Sequence, residues 1–120
     1  MAKPMLPQAV EDCHQLLLWI IPHLDKMPRQ RRFTVGERIE NQLLHVLSLL
    51  IQSAYSRDKR RWLDEANQCL AVLRHLWRLA FELHVVSLKS YEYGARKLMD
   101  LGRQVGGWRK EITQQESNAG

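Results

Sequence analysis

Apolar residues recur at helical spacing along most of the chain, and no convincing strand pattern occurs. In the first segment, residues 8–26, the apolar positions fall on one helical face. They are Val10, Cys13, Leu16, Leu17, Ile20, Ile21 and Leu24. Pro22 lies inside this pattern and predicts a kink or a break, and Pro28 ends the segment. The spacing therefore predicts a first helix over residues 8–26.

The second predicted helix begins at Thr34 and runs to about Tyr55. Thr34 and Glu37 have the S/T-x-x-E spacing of a capping box, and Phe33 stands where a hydrophobic staple would pack. On this interpretation, the arginines before the cap lie outside the helix, where a polyanion can reach them. They are Arg29, Arg31 and Arg32.

The pattern predicts two further helices. Asp58 is the expected N-cap of a third helix over about residues 59–83, and Ser87 of a fourth. The fourth is expected to end near Val105, because Gly106-Gly107 supplies a C-terminal stop.

The connections between these segments are short, so neighbouring helices should be antiparallel. The predicted fold is all-α: one antiparallel up-down four-helix bundle domain over residues 1–110. Residues 111–120 form a polar tail that is expected to fray.

The second and third helices carry more apolar surface than one bundle core needs, since a stripe of about 100° suffices. Leu44, Ile51 and Tyr55 widen the face of the second helix. A second stripe on the third helix consists of Trp62, Cys69, Leu76, Leu79 and Leu83. Either these are simply the central helices, or the excess is a subunit interface. We favour a homo-oligomer, because monomers rarely expose large apolar patches.

Composition adds a charge preference to this picture. The 120 residues are 45% hydrophobic and carry a net charge of +5, with a pI of about 9.6. Such a protein favours anionic partners, although charge alone also fits a merely soluble basic protein. Its two cysteines form no C-x-x-C pair, which favours reduced thiols and a cytoplasmic location. No signal-peptide core or apolar run of about 20 residues predicts membrane association.

The cations gather on two helices and the segments next to them. On the fourth helix Lys89, Arg96 and Arg103 are spaced by sevens, so they share one face. The predicted nucleic-acid-binding set is Arg29, Arg31, Arg32, Arg57, Lys59, Arg60, Arg61, Arg74, Arg78, Lys89, Arg96, Arg103, Arg109 and Lys110. The alternative is a solvated face with ion pairs four residues apart, such as Arg78 with Glu82 or Arg96 with Asp100. No interleaved aromatics mark a base-stacking platform, so binding should be to backbone or shape.

Catalytic and metal-binding motifs are missing from the sequence. There is no Glu-x-x-His, no H-x-x-x-H, no Cys/His ligand cluster and no phosphate-binding glycine loop. We therefore expect a non-enzyme without a metal or a cofactor.

Three segments carry a family resemblance: MPRQRRFTVGERIEN, LRHLWRLAFEL and SLKSYEYGARKLMDLGRQVGGWRK. They resemble the accessory variability determinant proteins of diversity-generating retroelements, over roughly residues 16–110. The most specific motifs are P-R-x-x-R-F-T-x-G at 28–36 and L-G-R-x-x-G-G-W at 101–108. A sister group encoded in ribosomal RNA intervening sequences shares the architecture, but its S-I-P-S-N-I-A-E-G stretch is absent here.

The resemblance implies a ring-like homopentamer of four-helix bundles with a basic surface. It also implies a reverse transcriptase and its template RNA as partners, with DNA or an RNA–DNA hybrid left open as further ones. Such a protein has no catalytic centre and supports mutagenic cDNA synthesis and retrohoming. Two alternatives remain: a bundle that binds ribosomal RNA or the ribosome, and a bundle that binds only protein.

Overall fold

Four long helices make up most of the chain, which the computed structural model describes from residue 6 to residue 119. The helical segments are α1 (Gln8–Asp25), α2 (Arg29–Arg31), a π-helical turn (Arg32–Gly36), α3 (Glu37–Tyr55), α4 (Lys59–Glu82) and α5 (Leu88–Ala119). No strand occurs within residues 6–119, which confirms the all-α prediction.

The helices form a bundle in which each packs on two neighbours. α1 and α4 each contact both α3 and α5. Along the α4–α5 seam, Asp64 meets Arg109 whereas Trp77 meets Tyr91, so the two helices run in opposite directions. The α1–α5 contacts show the same reversal. The predicted antiparallel arrangement is therefore present.

The core sits where the predicted apolar faces meet. The first helix buries its whole predicted face except Ile21, which is half-buried. The largest fully buried side chain is Trp77 of α4, surrounded by leucines and isoleucines from all four helices. Helical periodicity thus predicted the core correctly. It can do so because helices in proteins are stabilised mainly by packing of one apolar face, and the spacing of apolar residues marks that face.

The start of the second long helix differs from the prediction. Helical turns begin at Arg29, because Pro28 places its carbonyl to accept the N–H groups of Arg31 and Arg32, both at 2.9 Å. The Thr34 hydroxyl donates backwards to the carbonyl of Gln30 at 3.1 Å and caps nothing. The capping box is therefore wrong, and the arginines predicted to lie outside the helix lie within it: Arg29, Arg31 and Arg32.

The stop predicted at Gly106-Gly107 is also wrong. Pro22 does not break α1, and a kink there, the other predicted outcome, stays a prediction. α1 continues through Pro22 to Asp25, and α5 continues through Gly106-Gly107 to Ala119. Beyond the glycines, Ile112 is buried and Arg109 bonds to α4. These contacts offset the low helix propensity of glycine, which is about 1 kcal/mol per residue. Residues 113–119 are helical and exposed; the fraying of the tail and the domain limit at residue 110 stay predictions.

Of the two predicted N-caps, Ser87 is confirmed and Asp58 is wrong. Ser87 accepts the N–H of Ser90 at 3.1 Å, as predicted. Asp58 precedes α4, but its side chain caps nothing, and its own N–H donates to the Ser56 hydroxyl at 3.1 Å. The end of α3 is closed instead by Lys59, whose Nζ donates to two carbonyls of its last turn, at 2.9 and 3.0 Å.

The surplus apolar surface predicted on the second and third helices is present outside the core. Leu44, Ile51 and Tyr55 of α3 are exposed. On α4, Leu79 is exposed, as is Val72; the half-buried members of the predicted stripe are Trp62, Cys69, Leu76 and Leu83. The interpretation of this surface as a subunit interface stays a prediction.

Candidate nucleic-acid interface

The structure separates the predicted cations into those held by carboxylates and those left open. The first group bonds to acidic side chains across or along helices; it consists of Arg32, Arg60, Arg78, Arg103 and Arg109. A cation already paired has less to offer a phosphate, since a new contact must replace an existing one. The two groups are therefore different candidates.

Arg32 is the most firmly held of the set. Its guanidinium donates to Asp25 at 3.0 Å and to Glu40 at 2.7 Å, which ties the end of α1 to the start of α3 across the π-helical turn. Burial opposes its charge, but the hydrogen bonds to the two carboxylates prevail and raise the pKa of Arg32. Its first role is therefore to fix this corner of the bundle.

Three more of the predicted cations join helix ends. Arg109 bonds to Asp64 through Nε and Nη2, both at 2.6 Å, which joins α5 to α4. Arg60 approaches Glu116 at 3.5 Å across the same seam. Lys59 closes the last turn of α3, as described above. These three cations therefore help to hold the helices together as well as adding charge to the surface.

The two predicted surface ion pairs have different outcomes. Arg78 bonds to Glu82 at 2.6 Å, as expected for residues four apart. Arg96 does not pair with Asp100; Arg103 approaches that carboxylate instead, at 3.8 Å. Arg96 therefore stays open on the surface of α5.

The open group has no acidic side chain within ion-pair distance among residues 6–119. It consists of Arg29, Arg31, Arg57, Arg61, Arg74, Lys89, Arg96 and Lys110. All of these are exposed except Arg31, which is half-buried. Two of them lie over aromatic rings: Arg61 over Trp62 at 4.8 Å, and Arg29 over Phe33 at 5.7 Å.

Four exposed cations follow one line along α5; three are open, and the fourth, Arg103, is only loosely paired with Asp100 at 3.8 Å and is 74% exposed. We name Lys89, Arg96, Arg103 and Lys110 the α5 row. Because α5 continues past its glycines, Lys110 extends the predicted line by two helical turns. The row then spans about 32 Å at 1.5 Å per residue. A line of this length can face several successive phosphates of a nucleic acid.

Arg74 brings a cation of α4 to the same surface. Its Nη1 lies 2.9 Å from the point where a side chain at Gly102 would begin, so the guanidinium rests on the backbone of α5. The absence of a side chain at Gly102 leaves room for this approach. Arg74 thus places an exposed cation where α4 packs on α5.

Two features of the surface were not predicted from the sequence. A groove of about 410 Å³ lies between α1 and α5, with Leu18, Trp19, Tyr93 and Lys97 among its lining residues. The Nζ of Lys97 lies over the Tyr93 ring at 5.4 Å. The two walls come from segments far apart in the sequence, so no local pattern could have revealed them. Arg38, exposed on α3, was also left out of the predicted set.

The two cysteine thiols are held in the protonated, less reactive form. Both cysteines are free, and burial raises the pKa of the Cys13 thiol to about 12. Burial and the nearby Glu65 carboxylate also raise the pKa of Cys69. Within residues 6–119, no cluster of three or more His, Cys, Asp or Glu side chains could hold a metal ion. None of the helices in this part of the chain is long and apolar enough to cross a membrane.

These features define a class: a basic four-helix bundle with a cationic face along its last helix. A family model described as bAvd-like matches residues 6–112. The match covers most of the chain, and the protein belongs to the bAvd-like family, as its resemblance to the accessory variability determinant proteins predicted. Comparison with curated proteins gave no match.

Proposed function

We propose that this protein is the non-catalytic accessory factor of a diversity-generating retroelement, binding its reverse transcriptase and template RNA in support of mutagenic cDNA synthesis. Family membership supports the accessory role. The observation that carries RNA binding is the α5 row, and Arg74 adds an exposed cation at the neighbouring α4–α5 seam. DNA or an RNA–DNA hybrid would meet the same cations, because all three present a line of phosphates.

In this proposal the α5 row acts by neutralising phosphates. Each lysine or arginine that replaces a condensed counterion adds to the affinity and to its dependence on salt. The contacts go to the backbone, so they position the RNA without reading its sequence. Arg109, which ties α5 to Asp64 of α4, keeps that helix in place.

We further propose that the bundle acts as a homo-oligomer, with a pentameric ring as the form that the family resemblance implies. The exposed apolar side chains of α3 and α4 support an interface on that side. The α5 row lies on another helix and would be repeated around the ring. A repeated cationic face would hold a structured RNA at several points at once, which multiplies weak contacts.

Salt-dependent RNA binding tests this proposal. Affinity for a labelled RNA should fall steeply as salt rises, and Arg96→Glu with Arg103→Glu should reduce the log–log slope by about 1.4–1.8, at 0.7–0.9 per phosphate contact. Arg96→Lys with Arg103→Lys keeps the charge and should keep most of the affinity. Circular dichroism and light scattering would check that fold and assembly are unchanged. Wild-type protein without salt-dependent binding would refute the RNA-binding role.

The polymerase partnership needs its own test. Wild-type protein should bind the reverse transcriptase of its retroelement when the two are co-purified after nuclease treatment. Retention without nuclease but loss after it would mean that RNA alone bridges the two proteins. That result would contradict a direct contact between them.

A further inference from the structure

Phe33 is exposed and does not pack as the hydrophobic staple that was predicted. Its side chain is 63% exposed, and the guanidinium carbon of Arg29 lies 5.7 Å from its ring centroid. It is the one large apolar side chain that is strongly exposed between residues 25 and 40. A docking surface for a protein needs a contiguous apolar patch, whereas this ring stands alone among polar and charged neighbours.

The backbone beneath this ring is held in place. Arg32, next to Phe33 in the chain, bonds to Asp25 on one side and Glu40 on the other. Gly36 closes the π-helical turn against Met27, whose Sδ lies 3.3 Å from the place of a Cβ at position 36. A ring on a fixed turn loses little freedom when a ligand covers it, which favours binding.

The charges around the ring suit a phosphate. Two nearby carboxylates, Asp25 and Glu40, are occupied by Arg32. Arg29 and Arg31 have no carboxylate partner among the described residues and remain available. Glu37, exposed and one turn further along the chain, is the opposing charge on this segment.

We propose that Phe33 and Arg29 form a stacking platform for an unpaired base of single-stranded RNA, with the Arg29 guanidinium beside the ring also reaching the adjoining phosphate. Proteins that hold single strands combine these elements: an aromatic face for the base, an arginine beside it and cations for the backbone. The inference rests on the proposed RNA binding and adds to it a preference for unpaired nucleotides. It also revises the expectation that binding is to backbone or shape alone, which rested on the lack of interleaved aromatics.

The test compares a single-stranded RNA with a duplex of the same length by fluorescence anisotropy. Phe33→Leu keeps an apolar side chain but removes the aromatic face. It should weaken single-strand binding at least about 5-fold and leave duplex binding unchanged. Phe33→Trp should retain the wild-type affinity. The salt slope should not change in Phe33→Leu, because stacking releases no counterions, whereas Arg29→Gln should lower it.

The outcomes separate this inference from the proposed function. If Phe33→Leu binds the single strand as wild type does, or loses duplex binding equally, the platform is refuted while the α5 row still accounts for salt-dependent binding. If Phe33→Leu leaves RNA binding intact but abolishes binding to the nuclease-treated reverse transcriptase, Phe33 is a protein contact. Removal of the opposing charge by Glu37→Gln should strengthen single-strand binding, and weaker binding would contradict the assignment of charges.

Discussion

The indole ring of Trp77 in α4 lies directly on the backbone of α5 at Gly94. A Cβ at position 94 would stand 2.7 Å from two ring atoms of Trp77, closer than real contacts allow. The ring is also anchored, because its Nε1 donates to the carbonyl of Tyr91 at 2.9 Å. The ring itself is fully buried and cannot move aside. The spacing between α4 and α5 at this level is therefore set by this contact.

Gly94→Ala should lower the free energy of unfolding by about 1–3 kcal/mol, because the added methyl group forces the two helices apart. The matched control is Gly107→Ala on the same helix, where nothing lies within 4 Å of the new Cβ. That change should stabilise the protein by about 0.5–1 kcal/mol through helix propensity. Urea denaturation of both variants measures the difference, and equal effects would contradict the close contact.

The two candidate hydroxyl caps should respond differently to alanine. Ser87→Ala removes the acceptor of the Ser90 N–H and should cost about 1 kcal/mol of unfolding free energy. Thr34→Ala should cost less than about 0.5 kcal/mol, because its hydroxyl bonds only to carbonyls of the preceding turn. Thermal or urea denaturation compares the two. A loss near 1 kcal/mol for Thr34→Ala would indicate that the Thr34 side chain caps the helix after all.

The sequence predicted the helices and the core well but several helix ends badly. Apolar spacing reflects burial of a whole helical face, so the buried face of the first helix, from Val10 to Leu24, was predicted correctly. Helix ends depend on a few local bonds, and the signals at Thr34 and Gly106-Gly107 were overridden. At the first, Pro28 already begins the helix. At the second, packing of Ile112 continues it.

For the site, the sequence predicted which residues carry charge but not which of them are free of carboxylate partners. Which arginines are open depends on partners distant in sequence: Arg109 finds Asp64, 45 residues away, and Arg32 joins two helices. The periodicity of seven did predict that the α5 row shares a face. It could not predict that Arg74 crosses to α5, since this depends on how the helices pack.

Arg31 and Arg32 are neighbours in sequence but should have separable roles. Arg32→Ala should lower the unfolding free energy by about 1 kcal/mol, because it leaves Asp25 and Glu40 without their shared partner. Arg31→Ala should leave stability within about 0.5 kcal/mol of wild type and lower RNA affinity instead. Denaturation and anisotropy titrations on the same preparations separate the two effects. The reverse pattern would mean that the ion pairs of Arg32 contribute little.

The two thiols should differ in reactivity. Cys13 is buried with its pKa raised to about 12, so it should resist iodoacetamide in the folded protein up to at least pH 10. Cys69 is half-buried with a raised pKa, so it should react faster than Cys13 but more slowly than an unfolded thiol, and faster as pH rises. Mass spectrometry of timed samples gives both rates, with Cys69→Ser as the control for assignment. Equal rates at the two sites would contradict the burial of Cys13.

The exposed apolar side chains of α4 give the sharpest test of assembly. Val72 and Leu79 are 43% and 40% exposed and one heptad apart, so lysine at either position can reach solvent in a folded bundle. Val72→Lys with Leu79→Lys should leave the helical circular dichroism signal intact and convert the oligomer to monomers, because each charge would be buried without a partner at the interface. The control is Met99→Lys on α5, which is 50% exposed and lies between two members of the α5 row. Light scattering coupled to gel filtration measures the mass of each variant. An oligomer that survives the double substitution would place the interface elsewhere.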